Sequence, residues 1–187
     1  MLPVSDDIIK GCLQQDAASQ EQLYRICYPV MIKLCSRYSN DKNDAGAIYN
    51  EAMLKVFKHF RQFRGQGELA AWIRKIIVNT CIDFCRRQIK FVHQPPDETI
   101  VNETITLDPE VYGRISCNEV MRLLDDLPRT SALVFNLFAI EGYKHEEIGK
   151  LLDISAGTSK WHVNEARRIL KSKLDGIVKK KYYLNAI

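Results

Sequence analysis

Apolar residues recur along this chain at spacings of three and four, the period of helices with one buried side. Ile8, Ile9, Cys12 and Leu13 form the first such stripe, with Ser5 placed to cap it and Asp6 and Asp7 at the positive end of the helix dipole. Leu23, Cys27, Val30, Met31, Leu34, Cys35 and Tyr38 predict a second helix over about 20–38, kinked or interrupted at Pro29. Ile48, Ala52, Met53, Val56 and Phe60 predict a third, over about 44–59. After the breaker Gly65-Gln66-Gly67, residues 68–88 carry Leu69, Trp72, Ile73, Ile76, Ile77, Thr80 and Phe84 on one side of a fourth. No strand-like alternation intervenes, so residues 1–88 are expected to form an all-α bundle.

Periodicity then stops. Residues 89–115 hold Pro95-Pro96, Pro109, several Thr and many acids, and read as a linker. A helix resumes near Ser116 with Cys117, Val120, Met121, Leu124 and Leu127; Pro128 opens another through Leu133, Val134, Leu137 and Phe138, and Gly142 ends it. The next stretch, EGYKHEEIGKLLDISAGTSKWHVNEARRILKSKL, has helix-turn-helix grammar. Ile148, Leu151 and Leu152 give a short apolar face, Asp153-Ile154 interrupts it, and Ser155 caps a helix with Ser159, Val163, Ala166 and Leu170 inward. Lys160, Trp161, Asn164, Glu165 and Arg168 lie away from that seam, on a face that suits a DNA major groove. An ordinary helical hairpin with a solvated basic side has the same pattern. Residues 116–187 are expected to be a second, four-helix domain.

Charge adds what periodicity does not. The net charge of +4 conceals two basic bodies: residues 55–90 hold nine Lys/Arg against two acids, and residues 158–187 eight against two. Between them, residues 91–127 hold eight acids against two Arg. A polyanion touched at two separated places fits this arrangement, because counterion release on phosphate neutralisation supplies most non-specific affinity. Phe57, Phe60, Phe63, Trp72 and Phe84 are interleaved with the first set of cations, as single-strand capture requires, although all but Phe63 also fit a core seam.

No apolar run approaches the roughly 20 residues of a membrane span, and the acidic start is unlike a secretory leader, so a cytoplasmic chain without membrane insertion is expected. The six cysteines never form Cys-x-x-Cys and read as reduced and structural, with no metal site. His59, His93, His145 and His162 are scattered and are assigned surface or capping roles. There is no glycine-rich phosphate loop, HExxH or nucleophile elbow; the chain is not expected to be an enzyme or to need a cofactor.

Two blocks carry a resemblance. KVFKHFRQFRGQGELAAWIRKIIVNTCIDFCRR resembles region 2 of the extracytoplasmic-function (ECF) sigma factors of the sigma-70 family, subunits of bacterial RNA polymerase, and LLDDLPRTSALVFNLFAIEGYKHEEIGKLLDISAGTSKWHVNEARRIL resembles their region 4. GTSK and WIRKIIVNT are most similar to versions from the Bacteroidetes group. The resemblance implies a promoter-specificity subunit that binds core RNA polymerase and promoter DNA and is held inactive by an anti-sigma factor. Region 2 would dock on the polymerase clamp helices through Asp44, Glu51, Leu54, Lys55 and Phe57. Phe63, Arg64, Gly65, Gln66, Gly67 and Glu68 would capture a flipped base, and Trp72, Lys75, Asn79, Asp83, Arg86 and Arg87 would read the minus-ten element. Region 4 would place Ser155, Gly157, Thr158, Lys160, Trp161, His162, Asn164, Glu165, Arg167 and Arg168 at the minus-thirty-five major groove, and the acidic linker would thread toward the RNA path. A stand-alone helix-turn-helix regulator is the alternative.

Several residues depart from the family's pattern. Asp44-Ala45-Gly46-Ala47-Ile48 lacks two of the usual acids. Lys144 stands where a capping Ser is common, and Asp153 where Gly is common, although Asp tolerates positive φ. Trp161 and Glu165 are unusual on the groove face: Trp161 either packs on a thymine methyl or covers neighbouring surface, while Glu165 is placed to accept from a cytosine amino group.

Overall fold

The computed structural model describes residues 3–39, 41–63, 68–88 and 122–178, which are helical and contain no strand. The chain divides into two compact units, Met1–Gln88 and Ile89–Ile187.

The first unit holds α1 (Asp6–Leu13), α2 (Ala17–Ser36), α3 (Lys42–His59) and α4 (Leu69–Gln88), and the first three begin where short polar side chains satisfy orphan backbone donors. Ser5 Oγ accepts from the Ile8 N–H, Asp16 from the Ser19 N–H at 2.8 Å, and Asp41 from the Asp44 N–H at 2.8 Å. Leu23, Cys27, Met31, Leu34 and Cys35 of α2 are buried with Ile48, Tyr49, Ala52, Met53 and Val56 of α3. Burying each large apolar side chain contributes about 1.5–3 kcal/mol.

Three expectations need correction. α2 runs through Pro29, so the proline marks no interruption there; its ring is exposed. Val30 beside it is 56% exposed rather than inward. On α4 the buried set is Ile73, Ile77, Val78, Thr80, Cys81, Ile82 and Cys85, while Leu69, Trp72, Ile76 and Phe84 are only half-buried. The reason is packing: α4 lies against both α2 and α3 and needs a second stripe, Val78, Cys81, Ile82 and Cys85, which a one-stripe reading passes over. Thr80 is tolerated there because its hydroxyl donates to the Ile76 carbonyl at 2.9 Å.

Cys12, Cys27, Cys35, Cys81 and Cys85 are buried. Burial pushes the Cys12 and Cys27 thiols up to about 11, which keeps them protonated and unreactive.

In the second unit, residues 122–124 form a helical turn, followed by α5 (Arg129–Phe135), a wide turn at Asn136–Ile140, α6 (His145–Leu152) and α7 (Ala156–Val178). Gly142, at φ +78, turns the chain out of the wide helical end, as its glycine suggests. Lys144 has no lone pair with which to cap α6, but Glu147 reaches back to accept from the Lys144 N–H at 2.7 Å, supplying half of a capping box. Asp153 adopts φ 56 and ψ 48, the left-handed conformation expected of the turn. Ser155 Oγ accepts from the Thr158 N–H at 2.9 Å and caps α7. Ser159, Val163, Ala166 and Leu170 are buried, as the periodicity predicts. Leu123, Leu124 and Leu127 close the core over Ala166 and Leu170.

Candidate nucleic-acid interface

Because Ser159, Val163, Ala166 and Leu170 face inward, the opposite stripe of α7 is fixed by geometry: Gly157, Trp161, Asn164 and Arg168, at i, i+4, i+7 and i+11. Lys160 and Arg167 flank it on one side and Glu165 on the other. Ser155, Gly157, Lys160, Arg167 and Arg168 are exposed, and Trp161, Asn164 and Glu165 half-buried. Thr158 is 4% exposed, its hydroxyl 2.9 Å from Ser155 Oγ within the cap, so it supports the helix start instead of facing outward.

Two histidines brace this face from beneath. His162 Nδ1 lies 3.0 Å from Ser131 Oγ on α5, and His145 Nδ1 lies 3.0 Å from Ser159 Oγ on α7. Where surface or capping roles were expected, the structure gives these two rings interhelical contacts. The His145 ring stacks on Phe138 at 4.4 Å, and Arg167 lies 5.7 Å from the centre of the same phenyl ring. Burial first, then Lys160 and Arg167, hold the His145 imidazole below its ordinary range, against Glu146; burial lowers His162, against Glu165. Trp161 meets the His162 ring edge-on at 4.9 Å. Glu165 accepts from Arg168 with both oxygens, from Nε at 2.8 Å and Nη2 at 2.7 Å, which lowers its carboxyl pKa.

In the first unit the exposed side of α4 presents Lys75, Asn79, Asp83, Arg86 and Arg87. At its N-terminal end Phe60, Phe63 and Trp72 form an aromatic cluster with centroids 5.6–6.4 Å apart. Phe63 is thus packed against Trp72 rather than standing free between helices. Exposed Glu68 turns its carbonyl to the Ala71 and Trp72 N–H groups. Arg64, Gly65, Gln66 and Gly67 lie outside the described residues, as do the linker, Cys117 and His93.

On α3, Asp44, Glu51, Lys55 and Phe57 are half-buried and Leu54 is 70% exposed. Lys55 Nζ lies 2.9 Å from Glu51, 3.6 Å from Asp83 and 3.3 Å from Thr80 Oγ1, and Arg87 lies 3.2 Å from Glu51. Hydrogen bonds from Lys55 and, less strongly, from Arg87 hold the Glu51 carboxyl below the usual range. Two residues expected at the polymerase and two expected at DNA therefore form one charge network across α3 and α4, a juxtaposition that helical spacing within either element does not reveal.

The arrangement gives one unit a polar, basic helix face beside aromatic rings, and the other an outward-facing helix of a helix-turn-helix. Residues 23–90 match the family model described as Sigma-70 region 2, and residues 117–170 the one described as Sigma-70, region 4. The chain is 24% identical over 172 residues to the ECF RNA polymerase sigma-E factor of Haemophilus influenzae, with 78% of this chain and 87% of that protein covered. It is 28% identical over 142 residues to the RNA polymerase sigma factor SigV of Bacillus subtilis, covering 76% of this chain and 82% of that one. Over 158 residues it is 26% identical to the ECF RNA polymerase sigma factor SigE of Mycolicibacterium smegmatis, covering 82% of this chain and 58% of its relative. Two family regions in order, each on its own helical unit, and relatives aligned across both, make this chain a member of the ECF group of the sigma-70 family.

Proposed function

We infer that the chain directs core RNA polymerase to a specific set of promoters and helps open the DNA there. The observation that carries this reading is the pairing, in one chain, of a sigma-70 region 2 whose α4 face is basic and polar with a region 4 whose α7 stripe faces outward. Each half suits a different state of DNA. A helix with a basic outer face enters the major groove of intact duplex, where Trp161, Asn164 and Arg168 reach base edges while Lys160 and Arg167 meet phosphates. The rings of Phe63 and Trp72, with Lys75 one turn along α4 and Arg86 near its far end, suit unpaired bases, since every base offers a face for stacking and the cations hold the backbone.

Core polymerase docks on α3 in this reading. Leu54 is its apolar contact, and Asp44 and Glu51 supply acidic ones; with two family acids absent from 44–48, the apolar contact carries a larger share. The acidic linker threads toward the RNA path, and an anti-sigma factor covers the docking face until it is released. Such a protein works in the cytoplasm, beside the chromosome, as a binding subunit and not as a catalyst. Reconstituted transcription tests the reading: with core polymerase the protein yields transcripts starting at defined sites on genomic fragments. Protein that binds operator DNA unaided and never associates with core contradicts it and supports the stand-alone regulator.

A further inference from the structure

Glu165 and Arg168 stand one turn apart on α7, Arg168 on the outward stripe and Glu165 at its edge. Their pairing is side-on: Nε donates to Oε2 at 2.8 Å and Nη2 to Oε1 at 2.7 Å. The Glu165 side chain is 24% exposed and that of Arg168 68%, so the acid sits back against the helix and the guanidinium projects. A guanidinium carries five N–H groups, and this pairing uses two of them. The far edge keeps one outward N–H on each terminal nitrogen, a parallel fork that matches two adjacent acceptors such as O6 and N7 of guanine.

A phosphate also offers two acceptors, and charge decides between them. Glu165 cancels the positive charge of Arg168 locally and repels a phosphate brought to the same place, whereas a guanine edge is uncharged and needs only the directed donors. Position agrees. Arg168 shares the stripe opposite the buried seam with Gly157, Trp161 and Asn164, while the cations Lys160 and Arg167 flank it where strand backbones run. A carboxylate engaged through both oxygens reaches a cytosine amino group only by giving up the pair or carrying Arg168 with it.

We propose that Arg168, held edge-out by Glu165, reads one guanine in the upstream duplex, and that Glu165 is a positioning residue which also suppresses binding to unspecific sequence. The proposal rests on α7 being the major-groove helix of the preceding section. It is tested with the full chain bound to core polymerase on promoters whose upstream element is randomised, sequencing bound DNA for the wild type, Arg168→Lys and Glu165→Gln. The wild type prefers guanine at one position by roughly tenfold or more, the scale of a bidentate base contact. A lysine side chain keeps the charge but has no fork, so Arg168→Lys abolishes that preference and leaves the others intact. Glu165→Gln tightens binding to all sequences and narrows the same preference by roughly threefold or more, on the scale of a weakened charge-assisted contact.

Retention of the guanine preference in Arg168→Lys overturns the proposal; combined with its loss in Glu165→Gln, it assigns the base contact to Glu165 directly. An even loss of affinity across all sequences in Arg168→Lys makes the residue a phosphate contact and equally overturns it. A wild-type complex that initiates transcription yet shows no upstream preference removes the groove contact while leaving the sigma-factor reading in place; failure to associate with core removes both.

Discussion

A Cβ added at residue 149 would lie 2.8 Å from the Ile154 carbonyl oxygen, so the turn between α6 and α7 closes over a position that only glycine fills without a shift. Gly149→Ala forces backbone apart and is expected to cost about 1–3 kcal/mol, the scale of overpacking, measured as a lower midpoint in denaturant unfolding of the second unit. An unchanged midpoint would mean the turn has slack. Asp153, at the left-handed centre of the same turn, was legible from sequence because short polar side chains tolerate that conformation; Gly149 was not, because its constraint comes from an atom five residues away in chain but adjacent in space. Lys160 projects freely beside the outward stripe, and its replacement by Ala should lower the slope of log affinity against log salt by about one, uniformly across sequences. A slope that stays put would take Lys160 off the phosphates.

At the scale of elements, the caps and stops that read clearly are those whose partners are local: Ser5, Ser155 and Gly142 act within one turn of their own position. What was hidden depends on which helices meet. The second buried stripe of α4 exists because two helices cover it, and His145 and His162 are interhelical because Ser159 and Ser131 lie opposite them. These two rings make the second unit sensitive to acid. Both are harder to protonate in the fold than in the unfolded chain, so the unfolded state binds more protons as pH falls. Their contribution is complete above the unfolded value of about 6.5 and is lost as pH drops below it toward the folded values. Hydrogen exchange at the α7 amides should therefore be faster at pH 5.5 than at pH 7.5, after correction for intrinsic rates, by a ratio that shrinks in the His145→Gln, His162→Gln double variant. Equal protection at the two pH values would contradict the interhelical role.

The whole molecule is two helical units that carry sigma-70 regions 2 and 4. Its fold class followed from periodicity alone, whereas the site was legible only as faces: which cations face outward, which are tied in the Glu51, Lys55, Asp83 and Arg87 network, and which rings pack together depend on contacts between helices. Leu54 illustrates the difference. An apolar side chain off the inward stripe of Ile48, Ala52, Met53 and Val56, it is 70% exposed, which leaves it available to a partner. Leu54→Glu should weaken association with core polymerase at least tenfold while leaving the unfolding midpoint unchanged, since little apolar area is lost from the fold; an intact association would move the docking face elsewhere.

Site-specific photocrosslinking tests the division of labour between the units most directly. A crosslinker at Lys75 on α4 and another at Lys160 on α7 are carried separately by full-length protein assembled with core polymerase on one promoter. The account predicts that the first marks a single strand in the opened region and the second marks intact duplex further upstream, both only when core is present. Crosslinks from both positions to the same stretch of closed duplex, formed without polymerase, would contradict it.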